Sequence, residues 1–238
     1  MWCGGDFLDM ERRGTIVITG TSVGIGRDLA NFFLDKGFEV WGCSRRPSSI
    51  SNKDYFHTQV DLNNPTNVNK WIADVLSGTD SGVDIFIANA GKFNRAFALV
   101  ESENESRETF ETNLLSTIQM SKLISVDMIK KNKKGLLVYL SSVAVNLEDV
   151  GSATYSASKA ALETFVKIFA KEIKRMFVNA VILRIAFIES EMTATLLPAA
   201  KNSILARTSD SRFRSVTDLG NFILSSRNYD EFDEIIFQ

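Results

Sequence analysis

Apolar residues form two kinds of run along the chain. Short runs rich in β-branched residues, bounded by glycine, proline or polar residues, are typical of strands buried on both faces. They alternate with longer segments of mixed apolar and polar residues, which are typical of helices. The predicted strands are 15–19, 39–44, 56–60, 83–88, 135–140, 178–185 and 235–237. The predicted helices are 27–36, 64–76, 107–130, one that ends near residue 176, and 215–225.

This alternation predicts an α/β fold in which helices cover both faces of the sheet. The predicted architecture is doubly wound, with a mostly parallel sheet of six to seven strands. The chain shows no internal repeat or linker, so residues 14–238 are predicted to form a single domain. Residues 1–13 are predicted to be a flexible extension, with either Met1 or Met10 as the native start. Ligands of such sheets bind at the carboxyl ends of the strands.

The composition is ordinary for a globular protein and argues against several classes of function. Of the 238 residues, 45% are hydrophobic and 24% are charged, and the formal net charge is −2. No basic field favours nucleic acid, and no apolar run reaches the roughly 18 residues of a membrane helix. The two cysteines, Cys3 and Cys43, do not form a disulfide scaffold, which favours a cytoplasmic location. The lone His57 is expected to be structural, and no metal site is predicted.

A glycine-rich turn lies between the first strand and the first helix. Its glycines allow a tight turn and a close approach of the main chain to a phosphate, and the helix N-terminus supplies free N–H groups. The spacing G-x-x-x-G-x-G differs from the dinucleotide fingerprint G-x-G-x-x-G, and a glycine cluster is also found in ordinary strand–helix turns. The residues predicted to bind a dinucleotide here are Gly20, Thr21, Ser22, Gly24, Ile25 and Gly26.

The second predicted strand ends at Ser44, Arg45 and Arg46. An acidic residue at this place would bind the ribose 2′-hydroxyl of NAD, whereas arginine suits the 2′-phosphate of NADP. The arginines therefore predict that NADP (NADPH) is preferred over NAD. Solvated loop charge is the alternative interpretation.

Two further strand ends carry residues suited to the same ligand. Asp61 and Leu62 follow the third strand, where a carboxylate can reach an adenine amino group. Asn89, Ala90 and Gly91 follow the fourth strand, and their small size admits a flat cofactor. All five residues are predicted to bind the cofactor.

Tyr155 and Lys159 lie four residues apart in a predicted helix, so their side chains share one face. A free tyrosine titrates near pH ~10, and a nearby positive charge favours phenolate and lowers that pKa. Such a pair makes an acid–base group. Taken alone it is more typical of a packed ring beside a solvated amine, so its meaning depends on the other motifs.

Together these motifs resemble those of the short-chain dehydrogenase/reductase family. The glycine turn that begins at Thr19-Gly20 resembles its cofactor turn, and Asn89-Ala90-Gly91 resembles its sheet-stabilising motif. Ser142 precedes Tyr155 by the family's usual interval, which favours it over Ser141. The residues that resemble the catalytic tetrad are Asn113, Ser142, Tyr155 and Lys159. The resemblance covers about residues 14–225 and implies a Rossmann-like domain.

The resemblance implies a role for each member of the tetrad. Tyr155 gives a proton to a substrate carbonyl in reduction, or takes one from an alcohol in oxidation. Lys159 lowers the pKa of Tyr155 and binds the nicotinamide ribose, along with Tyr155 itself. Ser142 stabilises charge that develops on the carbonyl oxygen. Asn113 kinks its helix and holds a water that links Lys159 to solvent.

The sequence departs from the family pattern around the nicotinamide. Ile185 and Ala186 stand where the family usually has Pro-Gly after the sixth strand, which frees one backbone angle and restricts another. The backbone of Ile188 and the hydroxyl of Ser190 are still expected to reach the nicotinamide carboxamide. Residues 190–214 correspond to the family's substrate loop.

The predicted function is NADP(H)-dependent hydride transfer between nicotinamide and a small-molecule carbonyl or alcohol, with Tyr155 as general acid and base. A homodimer or homotetramer is expected from the family's usual assembly, and no nucleic-acid or membrane partner is predicted. One alternative is a cofactor-binding regulator without turnover, although such proteins tend to lose the tyrosine or lysine. Another is a sugar-modifying epimerase or dehydratase, whose glycine spacing differs and which carries an extra C-terminal region.

Overall fold

The computed structural model describes residues 13–147, 149–185, 188, 215–228 and 233–237. The strands in it form one parallel seven-stranded sheet of order β3-β2-β1-β4-β5-β6-β7. The strands are β1 (Thr15–Thr19), β2 (Glu39–Ser44), β3 (Tyr55–Gln59), β4 (Ile85–Ala88), β5 (Gly135–Ser142), β6 (Val178–Ile185) and β7 (Asp233–Phe237). The predicted doubly wound, parallel α/β architecture is confirmed.

Helices cover both faces of this sheet. They are α1 (Gly24–Asp35), α2 (Pro65–Gly78), α3 (Glu103–Phe110), α4 (Ser116–Lys130), α5 (Ala144–Leu147), α6 (Ala153–Ile173) and α7 (Val216–Ser225). A π-helical segment, Glu111–Leu115, joins α3 to α4. One apolar cluster packs α1 and α7 against the sheet, and a second packs α2, α4 and α6 against it. Within the described ranges, no helix is long and apolar enough to cross a membrane.

The helix predicted to start at Arg107 begins four residues earlier, at Glu103. Ser102 caps it, because its side chain accepts a hydrogen bond from the Glu105 N–H while the Glu105 carboxylate accepts one from the Ser102 N–H. The first turn of this helix is entirely polar, so hydrophobic periodicity does not mark its start. The S-x-x-E capping box does mark it in the sequence.

The order of the strands places a crevice between β1 and β4. The chain proceeds from β1 outward to β2 and β3, and then crosses back to β4 on the other side of β1. Ile18 of β1 pairs with Ile87 of β4, so both strands end at nearly the same level. Such a switch point at the carboxyl edge is where doubly wound sheets bind ligands. The glycine turn and the Asn89-Ala90-Gly91 segment both start there.

Candidate active site

The glycine turn is held against β2 and has no room for side chains at its base. The N–H groups of Gly20 and Thr21 donate to the carbonyl of Cys43 over 2.7 and 3.1 Å. Gly20 has a φ of +79°, in the region that favours glycine. A Cβ at Gly26 would lie 2.3 Å from the Gly20 carbonyl oxygen. Val23 is the N-cap residue of α1, and its side chain makes no capping hydrogen bond to the first turn of the helix.

Asn89 ties the end of β4 to the end of β1. Its amide Nδ2 donates to the Thr19 carbonyl over 2.7 Å, and its N–H donates to the Thr19 hydroxyl over 3.1 Å. The Ala90 N–H donates to the same hydroxyl over 2.9 Å. These bonds hold the crevice between the two strands at a fixed width. The segment therefore supports the sheet and also lines the crevice.

A cleft of about 490 Å³ runs along this edge of the sheet. It is lined by Gly20, Ser22, Val23, Gly24, Ile25, Gly26, Ser44, Arg45, Arg46, Val60, Asp61, Leu62, Asn89, Ala90, Gly91, Lys92 and Thr112. Most residues predicted to bind the cofactor thus come together in one cleft of a size typical for small-molecule sites. Thr21 is fully buried behind the turn rather than in the lining.

Arg45 and Arg46 are exposed at the mouth of the cleft, whereas their carbonyl oxygens are fixed. The Gln59 side chain donates to the Arg45 carbonyl over 3.2 Å. The Ser44 hydroxyl donates to the Arg46 carbonyl over 2.6 Å. The main chain of this segment is therefore held in place by hydrogen bonds, and both arginines belong to the lining. Asp61 lies nearby, and its carboxylate accepts a hydrogen bond from the Asn63 N–H over 3.0 Å.

Asn113 lies in the π-helical segment and is 1% exposed. Its Oδ1 accepts from the Lys92 N–H over 2.7 Å, and its Nδ2 donates to the Lys92 carbonyl and the Ser158 hydroxyl over 3.0 and 2.9 Å. The kink implied by the resemblance takes the form of a π turn, which is common at functional sites. The bonds join the end of β4 to the helix that carries Tyr155. The water link to solvent stays a prediction.

Ser142 and Tyr155 contact each other, whereas Ser141 faces the opposite way. The Ser142 hydroxyl lies close enough to the Tyr155 phenol to lower the pKa of that phenol. The Ser141 hydroxyl donates instead to the buried carboxylate of Glu163 over 2.6 Å. The ring of Phe93 meets the Tyr155 ring edge-on, with centroids 4.9 Å apart. The structure thus places the predicted serine, and one exposed aromatic ring, beside the tyrosine.

Lys159 is 4% exposed, and its Nζ donates to the Leu140 carbonyl over 2.8 Å. A Cβ at Gly91 would lie 3.7 Å from this Nζ, so the ammonium borders the end of the cleft. Burial lowers the pKa of Lys159 to about 8, although the nearby Glu163 carboxylate opposes that shift. Lys159 is therefore partly deprotonated just above neutral pH.

The expected lowering of the Tyr155 pKa by Lys159 is not found. Burial raises the pKa of Tyr155, and the hydrogen bond with Ser142 offsets this only in part. The Lys159 ammonium donates its hydrogen bond to the Leu140 carbonyl. Burial also lowers the pKa of Lys159, which reduces the fraction of this side chain that carries a charge. Tyr155 is consequently a protonated phenol at neutral pH.

A buried ion pair supports the catalytic helix and was missed by sequence reasoning. The Arg184 guanidinium donates to both oxygens of Glu163 over 2.8 and 2.5 Å. Burial acts to raise the pKa of Glu163, but hydrogen bonds from Arg184 and Ser141 outweigh it and leave that pKa lowered. Glu163 lies one turn after Lys159 in the sequence, and this spacing was the available signal.

Lys92 is a second residue that sequence reasoning missed. It lines the cleft and forms an ion pair with Glu108. Its main-chain N–H and carbonyl groups both form hydrogen bonds with the Asn113 side chain. Its position directly after Asn89-Ala90-Gly91, at the carboxyl end of a strand, was the signal that could have found it.

The nicotinamide side of the predicted site is described only in part. Ile188 is buried, and the Ile185 carbonyl at the end of β6 accepts from the Val143 N–H over 3.2 Å. Ser190, Ala186 and the predicted substrate loop lie outside the described residues, as does most of the predicted N-terminal extension. The predictions for these parts of the chain stay predictions.

Comparison with known proteins gives consistent matches. The family model for short chain dehydrogenases matches residues 14–201. The 3-oxoacyl-(acyl-carrier-protein) reductase FabG of Vibrio cholerae is 28% identical over 197 residues, which are 80% of either chain.

Two solved structures share the fold. A short-chain dehydrogenase from Streptomyces avermitilis superposes with a TM-score of 0.80 at 20% identity, over 96% of this chain and 89% of that one. A 4-hydroxyisoleucine dehydrogenase complexed with NADH superposes with a TM-score of 0.82 at 20% identity, over 94% and 96% of the two chains. With the family model matching most of the chain, the protein belongs to the short-chain dehydrogenase family and is an oxidoreductase.

Proposed function

We propose that this protein transfers hydride between NADP(H) and a carbonyl or alcohol substrate, with Tyr155 as the general acid and base. One observation carries the proposal. Gly91 lines the same cleft as the glycine turn, and a Cβ on Gly91 would lie 3.7 Å from Lys159 Nζ and 3.6 Å from Asn113 Oδ1. A dinucleotide seated with its phosphates at the turn would thus extend toward the catalytic side chains.

The residues present fit such a cofactor. A Cβ at Gly24 would meet no atom within 4 Å, so this glycine leaves open space for a phosphate beside the turn, and the start of α1 offers N–H groups to it. A bound nicotinamide supplies the hydride in reduction. The chain itself supplies the proton and the orientation of the carbonyl.

The protonation states favour the reductive direction. Tyr155 is a neutral phenol at neutral pH because burial raises its pKa, so it has a proton to give to a carbonyl oxygen. The Ser142 hydroxyl lies beside the phenol and can donate to the same oxygen as negative charge develops. Lys159, with a pKa of about 8, keeps most of its positive charge at neutral pH, and its Nζ borders the cleft beside Gly91.

The preference for NADPH over NADH is proposed from the end of β2. Arg45 and Arg46 are exposed in the lining, and no acidic residue stands at this strand end. A guanidinium can bind a 2′-phosphate through paired, charge-assisted hydrogen bonds. Ser44 and Gln59 fix the main chain from which these arginines extend.

The substrate is proposed to be a small carbonyl compound. Phe93, which is 56% exposed, extends apolar surface from the Tyr155 ring toward solvent. Because the Vibrio cholerae relative is a 3-oxoacyl-(acyl-carrier-protein) reductase, 3-oxoacyl thioesters belong in the first substrate panel. The protein is further proposed to form a homodimer or homotetramer and to be located in the cytoplasm.

The test is oxidation of NADPH by the purified protein with a panel of ketones and 3-oxoacyl thioesters, followed at the nicotinamide absorbance. Turnover with NADPH favoured over NADH is expected. Tight binding of NADPH without turnover across the panel would instead support the regulator.

Arg45→Asp tests the cofactor preference. The KM for NADPH should rise at least about tenfold because an ion pair with the 2′-phosphate is lost, while the KM for NADH should change little. Arg175→Asp is the matched control, since Arg175 is exposed at the turn before β6, at the opposite edge of the sheet. An unchanged preference in Arg45→Asp would refute the role of Arg45.

A further inference from the structure

His57 lies between the two segments that line the nucleotide end of the cleft. It sits on β3 opposite Gly42 of β2. On one side, its Nδ1 is 3.0 Å from the Tyr55 hydroxyl and 3.3 Å from the Thr21 hydroxyl. On the other side, its Nε2 is 3.0 Å from the Arg46 carbonyl and 3.3 Å from the Ser44 hydroxyl. One imidazole therefore connects the glycine turn to the arginine segment.

The partners determine where the imidazole proton lies. A carbonyl oxygen only accepts, so Nε2 carries the hydrogen and donates to Arg46. Nδ1 then accepts from the Tyr55 or the Thr21 hydroxyl, which also hydrogen-bond each other over 2.8 Å. Burial raises the pKa of Tyr55, and its hydrogen-bonding interactions with Ser48 and Thr21 oppose this only in part, so the phenol keeps its proton and stays a donor.

The network requires a residue without a side chain at Gly42. A Cβ at Gly42 would lie 2.4 Å from the Thr21 hydroxyl oxygen and 2.8 Å from the Tyr55 hydroxyl oxygen. Any larger residue at this place in β2 would displace both groups. Thr21 is 0% exposed, so its hydroxyl lies away from the cleft and within the network.

The network bears on the ligand through the main chain of Arg46. His57 and Ser44 both donate to the Arg46 carbonyl, and Gln59 donates to the Arg45 carbonyl. All three donors act on main-chain carbonyl groups of the arginine segment, so the side chains of Arg45 and Arg46 take no part in these bonds. A charge-assisted contact to a phosphate is sensitive to such placement, because guanidinium bonds are directional.

We propose that His57 is a positioning residue that ties the arginine segment to the glycine turn and thereby sets the discrimination between NADPH and NADH. This inference rests on the proposed preference for NADP(H). It gives the lone histidine a role in specificity beyond the structural one expected from the sequence, and the histidine acts through Arg45 and Arg46 without touching the cofactor.

The test compares His57→Leu with His57→Gln in the full chain. Leucine removes both hydrogen-bonding nitrogens, whereas glutamine offers an amide Nε2 that can donate to the Arg46 carbonyl. Dissociation constants for NADPH and NADH are measured by nicotinamide fluorescence. His57→Leu should weaken NADPH binding roughly five- to tenfold with little change for NADH, as expected for one lost orienting hydrogen bond. His57→Gln should restore most of the difference.

Tyr55→Phe keeps the test decisive if His57→Leu fails to fold. It removes only the hydroxyl that contacts Nδ1 and should reduce the preference for NADPH roughly two- to fivefold. Equal weakening of NADPH and NADH with a lower melting temperature would show a purely structural role and overturn the inference. So would an unchanged preference in folded His57→Leu. A wild-type protein that does not prefer NADPH would refute the proposed cofactor instead, which separates the two failures.

Discussion

The two ends of the cleft are built from different materials. The nucleotide end is formed largely by main-chain atoms, because Gly20 and Gly26 pack so closely against their neighbours that neither position has room for a side chain. Two exposed arginines lie at its mouth. The catalytic end consists of the half-buried Tyr155 and the buried Lys159, whose pKa values are shifted upward and downward to about 8, respectively. In the proposed function, the first end offers shape and charge to a phosphate, and the second controls a proton.

This difference predicts two kinds of mutant. Changes at the catalytic end should lower kcat while cofactor affinity is kept, because they remove groups that act in the transition state. Changes at the nucleotide end should raise the KM for the cofactor, because they disturb binding that is shared by ground and transition states. The predictions below test this division, starting with the largest expected effect.

Tyr155→Phe should lower kcat roughly 100- to 10,000-fold, because the proton donor is lost. Its affinity for NADPH should stay close to that of the wild type, as measured by fluorescence titration. Tyr139→Phe is the matched control, since the Tyr139 hydroxyl is buried in the core and donates to Ser121 over 2.9 Å. That control should lose only about 1 kcal/mol of stability and keep its kcat. Activity of Tyr155→Phe within tenfold of the wild type would remove the assigned proton role.

Gly26→Ala should act at the opposite end of the cleft. Its Cβ would lie 2.3 Å from both the Gly20 carbonyl oxygen and Asn89 Nδ2, so the turn must shift and about 3 kcal/mol of unfolding free energy should be lost. The KM for the cofactor should rise roughly tenfold or more while kcat changes less.

Gly24→Ala is the comparison for this prediction. A Cβ at Gly24 meets nothing within 4 Å, and its φ of +62° predicts a strain of only about 1 kcal/mol. Equal losses of stability in the two variants, measured by urea denaturation, would contradict the packing argument.

Local signals were enough to predict much of both ends. The spacing of Tyr155 and Lys159, and the glycines after β1, place functional residues because neighbours in sequence remain neighbours on a helix or a turn. The alternating runs gave the strands of the sheet within a few residues. These features depend on short-range geometry, which a single sequence records.

The partners that complete the site could not be predicted in this way. The pair between Glu163 and Arg184 and the bond from His57 to Arg46 join residues brought together only by the order of the strands. The predicted direction of the Tyr155 pKa shift was wrong for the same reason. Burial raises this pKa and Ser142 opposes it only in part, and the extent of burial depends on the packing of the whole fold.

Glu163→Gln should produce the smallest effect, a displacement of the pH profile. The Glu163 carboxylate raises the pKa of Lys159 against the effect of burial, so removing its charge should lower that pKa further below about 8. If turnover requires the Lys159 ammonium, the alkaline limb of the kcat profile should move to lower pH by less than about one unit. Glutamine keeps an oxygen that can accept from Arg184.

Glu172→Gln is the control for this shift, because Glu172 is exposed near the end of the same helix. It should leave the alkaline limb in place.

The folded Lys159 pKa of about 8 lies below its ordinary value of 10.5, so the unfolded chain binds more protons between these pH values. The destabilisation due to burying this ammonium is therefore present below pH 8 and is relieved as the pH rises toward 10.5. An alkaline limb that is unmoved in Glu163→Gln would show that Lys159 charge does not control turnover, and would leave Tyr155 as the titrating group.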